Sequence, residues 1–516
     1  MRYTTPFANR SFRRLPRTCY TVLPFLLLAN YIILFYFESV SNKVFPSDTF
    51  HPPTPVTNPH ETHDKIGSDY WTWETISQFK SSTTPVESND CATFPTHLLN
   101  AIQIVLKVGS ADDPARTNSQ LSSVIKCISN VIIVSDRNHT YGDKHEAFDV
   151  FASLPPETYL TEEDLIDYNS QKNVSLETLR QGHRGWKLDK YKFLPAVEHA
   201  VSQNDKAKWY VFLESDTYVF WDNLFRLLEN YDEELPYYLG SPSPGKPIPE
   251  TAENGDGERV WFAYGGPGYV LSAPAALRLV ERRRNKIAIK GPRLTQEYKE
   301  DIRADCCGDS ILGWALHDKA GVDISGLWPM FNPESLHGIP FGRKYWCEPV
   351  ISLHKTHIED YVKVFEWDNN RNRSQGPLLY RDLISYHPFT VPSPTTEVSK
   401  FTNSTLPIHI IPNWDNADVA GFNEEMPEHP ANRDFASCQQ HCHEHSKCFQ
   451  FTWHAHHCWM AGVMRMGQRK EPDGKHDEEG RKYVSGWDVE KIGKWIGENT
   501  CEEGPHWVKP SLKRRF

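Results

Sequence analysis

The stretch from Trp209 to Leu228, WYVFLESDTYVFWDNLFRLL, constrains the fold of this chain more than any other. Trp209, Tyr210, Val211, Phe212 and Leu213 form a short apolar run that stops abruptly at polar residues, the pattern of a buried strand rather than a helix. Glu214, Ser215 and Asp216 follow. Side chains two apart in extended backbone point the same way, so the spacing predicts two carboxylates side by side at the strand's carboxyl end. Open α/β sheets bind ligands at that end. Paired carboxylate oxygens suit Mg2+ or Mn2+, with phosphate oxygens completing the shell. The plainer reading is that the acids end the strand and that Asp222 caps a helix from Asn223 to Asn230.

Strands and helices alternate around this stretch. Ile102 to Val108 (IQIVLKV) reads as a strand, Gln120 to Ser129 has helical spacing, and Val131 to Val134 (VIIV) reads as a second strand. That order predicts an α/β fold with a parallel sheet. Asp136, just past the second strand, either touches a ribose or base or begins a turn. Gly182 to Val201 reads as a helix ahead of the central strand. Lys187 and Lys190 share one of its faces, meeting phosphate or simply solvated.

Further along, Trp261 to Ser272 (WFAYGGPGYVLS) carries Gly265, Gly266 and Gly268, which permit a tight turn and a close backbone approach to a bound group. Ile311, Leu312, Ala315 and Leu316 mark the buried face of a helix starting near Asp309. Asp309 is either its cap or a general base that accepts a proton from an incoming hydroxyl, with Asp301 and Asp305 as alternatives. Pro349 to His357 (PVISLHKTH) reads as a strand ending in His354, whose imidazole is a candidate third metal ligand.

A chain of 516 residues is too long for one ordinary core, so two domains with extensions are expected. Its net charge of −11 and scattered basic residues exclude nucleic acid as a partner. Residues 1–18 read as a cytoplasmic tail. Cys19 to Phe37 carries no charge and is long enough to cross a bilayer, and Arg10, Arg13, Arg14 and Arg17 before it place the remainder on the far side. A cleaved signal peptide is the competing reading. Residues 38–90, rich in Pro, Thr, Ser, His and Asn, read as a stalk, 388–407 as a linker and 502–516 as a basic tail. Asn138, Asn173, Asn372 and Asn403 each begin a glycosylation sequon, in keeping with a secretory setting.

In order, VFLESDTYVFWDNL, AYGGPGYVLS, CCGDSILG and SLHKTH resemble the fungal branch of glycosyltransferase family 31, near the core 1 β1,3-galactosyltransferases and fringe-like enzymes. The resemblance runs from about Cys91 to Asp368. It implies a GT-A nucleotide-sugar transferase domain, placed at 91–387, with a mixed, mainly parallel sheet. It also implies a UDP-sugar donor, Mn2+ or Mg2+, and inverting transfer of a hexose, expected to be galactose, to a glycan or glycoprotein acceptor in a β1,3 linkage. The setting would be the Golgi or endoplasmic reticulum membrane. Asp216 matches the last acid of the family's metal motif, His354 its later metal ligand and Asp309 its base. Glu214 and Ser215 depart from the family's consecutive aspartates, which bears on metal affinity and donor choice. The departure sustains a second reading, a non-catalytic relative acting as a lectin or as a chaperone for another transferase.

An oxidising lumen favours disulfides over a zinc site among the eleven cysteines, and Cys91 with Cys127 is a candidate bridge. The cluster CQQHCHEHSKCFQFTWHAHHCW, within 408–501, resembles the PAN/Apple module, a small disulfide-rich α+β fold. That resemblance implies Cys438 with Cys458, Cys442 with Cys448, and a protein or carbohydrate partner. Sequence alone does not pair Cys306, Cys307, Cys347 and Cys501.

Overall fold

The apolar run at Trp209 does form the middle of a sheet. Eight strands build it: β1 Ile102–Lys107, β2 Val131–Ser135, β3 His139–Tyr141, β4 His145–Asp149, β5 Trp209–Glu214, β6 Tyr238–Gly240, β7 Tyr269–Ser272 and β8 Ile324–Gly326. Their order is β8-β6-β7-β5-β1-β2-β4-β3. β1 runs parallel to β2 and β5, β2 is parallel to β4, and β7 lies antiparallel to β5 and β6. The sheet is therefore mixed, as a GT-A-like domain requires. Alternation along β5 sends Trp209, Val211 and Leu213 into one apolar cluster and Tyr210 and Phe212 into the other, so both faces are covered.

The computed structural model describes residues 69–80, 90–142, 144–181, 186–248, 258–284, 287–387, 405–417, 422–423, 428–471 and 482–516. Cys19 to Phe37, Asn403 and most of the expected linker lie outside these residues. Among the described residues no helix is long and apolar enough to cross a membrane.

The helices used below are α1 Pro114–Leu121, α2 Phe193–Gln203, α3 Trp221–Leu228, α4 Gly308–Ala315 and α5 Ile358–Asn369. Several differ from the sequence reading for local reasons. The helix expected over Gln120–Ser129 is instead α1, started by the Asp113 side chain on the Ala115 N–H with Pro114 in its first turn. It stops before Ser122, and the Ser123 hydroxyl bonds back to the Ser119 carbonyl. α3 begins before Asp222, so Asp222 is no cap: buried inside the helix, it pairs with Arg226 at 3.1 Å. The helix expected over Gly182–Val201 breaks at a 3-10 turn, Lys190–Lys192, before α2. Pro195 explains the break, because its ring excludes the bond a continuous helix would make to the Tyr191 carbonyl. That carbonyl instead accepts from the Tyr159 hydroxyl at 3.0 Å.

Residues 408–501 form a second region. Its strands β9 Ile408–Pro412, β10 Phe422–Asn423, β11 Gln450–His454, β12 His457–Ala461 and β13 Val484–Asp488 make an antiparallel sheet in the order β9-β13-β11-β12-β10. Helix α6, Phe435–Glu444, packs on it. Disulfides join Cys438 to Cys458, Cys442 to Cys448 and, in the first region, Cys91 to Cys127. The remaining pairs are Cys306–Cys307, adjacent in sequence, and Cys347–Cys501, which links the two regions.

Both expected extensions are partly built into the fold. Tyr70–Trp71, read as stalk, pairs antiparallel with Trp507–Val508, read as tail. Trp73, Trp507 and Val508 are buried in the main core, an outcome their aromatic and apolar side chains favour over solvent. Arg514 closes this junction by donating to Glu348 at 2.6 Å and to the Tyr70 hydroxyl.

Candidate active site

β5 ends in Glu214, and the turn after it is fixed by its neighbours. Gln120 on α1 donates to the carbonyls of Glu214 and Thr217 at 3.0 and 2.9 Å. The Tyr361 hydroxyl on α5 donates to the Ser215 carbonyl at 2.9 Å, and the Ser215 hydroxyl donates to Asp112 at 3.1 Å. His354 comes from a segment expected to be one long strand. Only Ser352–Leu353 forms a strand, antiparallel to Tyr218–Val219 and parallel to Phe331–Asn332. The chain then leaves the strand through Lys355 at φ 53°, and the Thr356 N–H reaches the Asp216 carbonyl at 3.0 Å. This crossing places the His354 ring beside Asp216, with Nε2 to Oδ1 at 3.3 Å.

Glu214, Asp216 and His354 therefore each offer a ligand atom, all within 4.8 Å of one another. His354 Nδ1 is buried and has no hydrogen-bond partner among the described residues. Two carboxylates and one imidazole with such an orphaned nitrogen fit Mn2+ or Mg2+. Burial pushes the Glu214 carboxyl up to about 7 against the pull of Lys107. Burial also acts on Asp216, but the His354 imidazole and Arg116, 4.0 Å away, hold it below the usual carboxylate range. Two other clusters have the composition of metal sites. In one, Cys306 and Cys307 are spent on each other; in the other, His337 already bonds Asp360.

The glycine turn is close to this triad. A side chain on Gly266 would enter the His354 ring, and a Cβ on Gly265 would sit 2.8 Å from Glu214 Oε1. The Gly265 N–H donates to Asp309 Oδ2 at 2.9 Å, so one glycine separates Glu214 from Asp309. Asp309 lies in the first turn of α4, whose N-cap is Cys307, and burial pushes its carboxyl up to about 6. A buried carboxylate whose pKa is raised toward neutrality beside the triad is a candidate base. Asp301 and Asp305 are engaged elsewhere, with Lys246 and with the Cys307 N–H.

Three residues singled out from sequence do not reach this triad. Asp136 is fully buried, accepting from the Ser110 N–H at 2.9 Å and facing Lys192 at 3.2 Å. Lys187 pairs with Glu163 at 2.6 Å on the surface, and Lys190 donates to the Asp305 carbonyl at 2.8 Å. The cations that matter are ones the sequence reading passed over. Lys107 lies 2.7 Å from Asp189 and 3.2 Å from Glu214. Burial works against its charge, but those carboxylates raise its pKa. A signal for Lys107 existed, since parallel strands put their carboxyl ends together and the register pairs it with Glu214. Gln120, Tyr361 and Arg116 carried no such signal, because they arrive from helices whose approach is tertiary. Asn138, Asn173 and Asn372 are all exposed.

Residues 159–332 match the Fringe-like family, a span that takes in Glu214, Asp216, Gly265, Gly266 and Asp309 and ends before His354. The chain is 35% identical over 134 residues to the β1,3-N-acetylglucosaminyltransferase lunatic fringe of Danio rerio, covering 25% of this chain and 33% of that protein. It is 36% identical over 200 residues to the radical fringe of Notophthalmus viridescens, covering 36% and 48%. Against lunatic fringe of Gallus gallus it is 28% identical over 202 residues, covering 36% and 52%. The chain thus spans between a third and about half of the length of these curated relatives.

Proposed function

We propose that this chain is an inverting, metal-dependent glycosyltransferase that moves a hexose from a UDP-sugar to a hydroxyl of a glycan or glycoprotein, forming a β1,3 linkage. The observation that carries the reading is the convergence of Glu214, Asp216 and His354 beside Asp309 at the end of β5. The names of its fringe relatives support the β1,3 transfer and point to N-acetylglucosamine, whereas the order of sequence motifs points to galactose. The donor is one of these two UDP-sugars.

Asp216, His354 and Glu214 would hold Mn2+ or Mg2+. When bound, the cation supplies positive charge to the diphosphate and so eases departure of UDP. Asp309, ionised at neutral pH, takes the proton of the acceptor hydroxyl. The oxygen thus freed attacks the anomeric carbon from the face opposite UDP, and the carbon–oxygen bond to UDP breaks with inversion. Arg116 faces Asp216 from α1 and is placed to meet a phosphate oxygen. Gly265 keeps its N–H on Asp309, which aims the base.

The second region is read as a PAN/Apple-like module, supported by the Cys438–Cys458 and Cys442–Cys448 bridges around an antiparallel sheet and one helix. We place the protein in the Golgi or endoplasmic reticulum membrane, anchored by Cys19–Phe37 with the site lumenal. The test is UDP release by the full chain with UDP-galactose and UDP-N-acetylglucosamine, with Mn2+ and after chelation, beside Asp216→Asn. Metal-dependent turnover of one donor, lost in the variant, is expected. Binding of neither donor would end the transferase reading and favour a lectin or chaperone.

A further inference from the structure

Resting on the transferase reading, we infer that the acceptor sugar binds in the cleft between the transferase region and the distal module, so that the module supplies one wall of the acceptor site. The cleft has a volume of about 450 Å³, within the range of small-molecule sites. Glu334 and Lys344 line it from the transferase side, Asp415 and Gln468 from the module, and Phe516 stands at its edge.

This cleft adjoins the reaction centre through a chain of direct contacts. The Phe516 ring lies 4.8 Å from the Tyr264 ring, and Tyr264 meets the His354 ring edge to face at 5.5 Å. Tyr264 also precedes Gly265, whose N–H holds Asp309. The His354 N–H donates to the carbonyl of Asn332, which also lines the cleft. The cleft is thus linked to His354 through Tyr264 and Asn332, and to Asp309 through Tyr264 and Gly265.

The lining chemistry suits a neutral, hydroxyl-rich ring. Glu334 offers carboxylate oxygens, Lys344 offers N–H donors and Gln468 offers both, whereas Asp415 is buried and already paired with Lys470 at 2.9 Å. Glu334, Lys344 and Gln468 are exposed, and Lys344 Nζ stands 4.7 Å from the Trp328 ring, which also lines the cleft. Phe516 is 51% exposed, a flat apolar face available for a sugar ring.

The experiment uses the full chain with Mn2+, the turned-over UDP-sugar and p-nitrophenyl glycosides of galactose, glucose, fucose and N-acetylgalactosamine as acceptors. Glu334→Gln, Gln468→Ala and Phe516→Ala all change exposed positions. Each should raise the acceptor KM by about tenfold, the order expected from one lost hydrogen bond or stacking contact, while the donor KM moves less than about twofold. An unchanged acceptor KM in all three variants would overturn the inference, as would donor and acceptor KM rising together. Saturation-transfer NMR on the same samples separates this idea from the one beneath it. UDP binding without binding of any glycoside sinks the cleft alone, whereas no UDP-sugar binding sinks the transferase reading and the cleft with it.

Discussion

The two regions hold themselves together by different means. The first region covers both faces of a wide sheet with large apolar clusters. It packs Lys107, Lys192, Asp136 and Asp189 together at its strand ends. The distal module has one small cluster, and Cys438, Cys442, Cys448 and Cys458 are part of it. A small core that buries little apolar area relies on covalent ties. The contrast teaches that pairing rather than core size admits buried charge: the module too buries Asp488, 2.7 Å from His443, and Asp415, 2.9 Å from Lys470.

The largest effect expected is that of Asp216→Asn, which removes a carboxylate from the ligand triad. Transfer should fall by about 10³-fold or more, since a metal contributes several kcal/mol of charge stabilisation. Circular dichroism should remain that of the parent. Asp309→Asn should lower transfer by about 10²–10³-fold while leaving UDP-sugar binding intact, because the amide still accepts from Gly265 but takes no proton. Calorimetric donor affinity distinguishes these two losses.

Replacing Cys438 and Cys458 together by serine should destabilise the module by about 3 kcal/mol in chain-entropy terms, the loop spanning 20 residues. Donor affinity should hold while the module's amides exchange faster. If donor affinity fell equally, the two regions would not be energetically distinct. A gentler probe is pH. The base acts as the carboxylate and its pKa is raised to about 6, so transfer should be flat above that value and fall about tenfold per unit below it. Asp309→Asn should lack this limb. Lys187→Ala should be smallest, changing the donor KM by less than about twofold, as expected of a surface ion pair.

Much of the first region was legible because the pattern of a buried strand is local. Trp209–Leu213 and Val131–Val134 could be read from short apolar runs with abrupt polar ends, and the acids of β5 followed from side-chain spacing. Asp309 and His354 could be named as residue types in promising places, but their proximity to Glu214 is made by a helix start and a left-handed Lys355, neither of which has a periodic signature. Asp136 misled because a carboxylate at a strand end looks the same whether it faces ligand or a buried lysine such as Lys192. The aromatic residues near Tyr70 and Trp507 were hidden in segments whose average composition is polar. Their partners lie more than 400 positions apart by number, beyond any local pattern.

Helix α5 has a consequence for anyone who would treat the distal module as an exchangeable cassette. Its Asp360 is held at 2.7 Å by His337, whose other ring nitrogen meets the Gly467 carbonyl of the module at 2.6 Å. The next residue, Tyr361, grips the turn after β5. A transplanted module lacking a carbonyl at that point would leave His337 without its second anchor, and the loss would be felt one residue from the grip on Ser215. Swapping modules in this architecture is therefore also retuning the turn that carries Asp216.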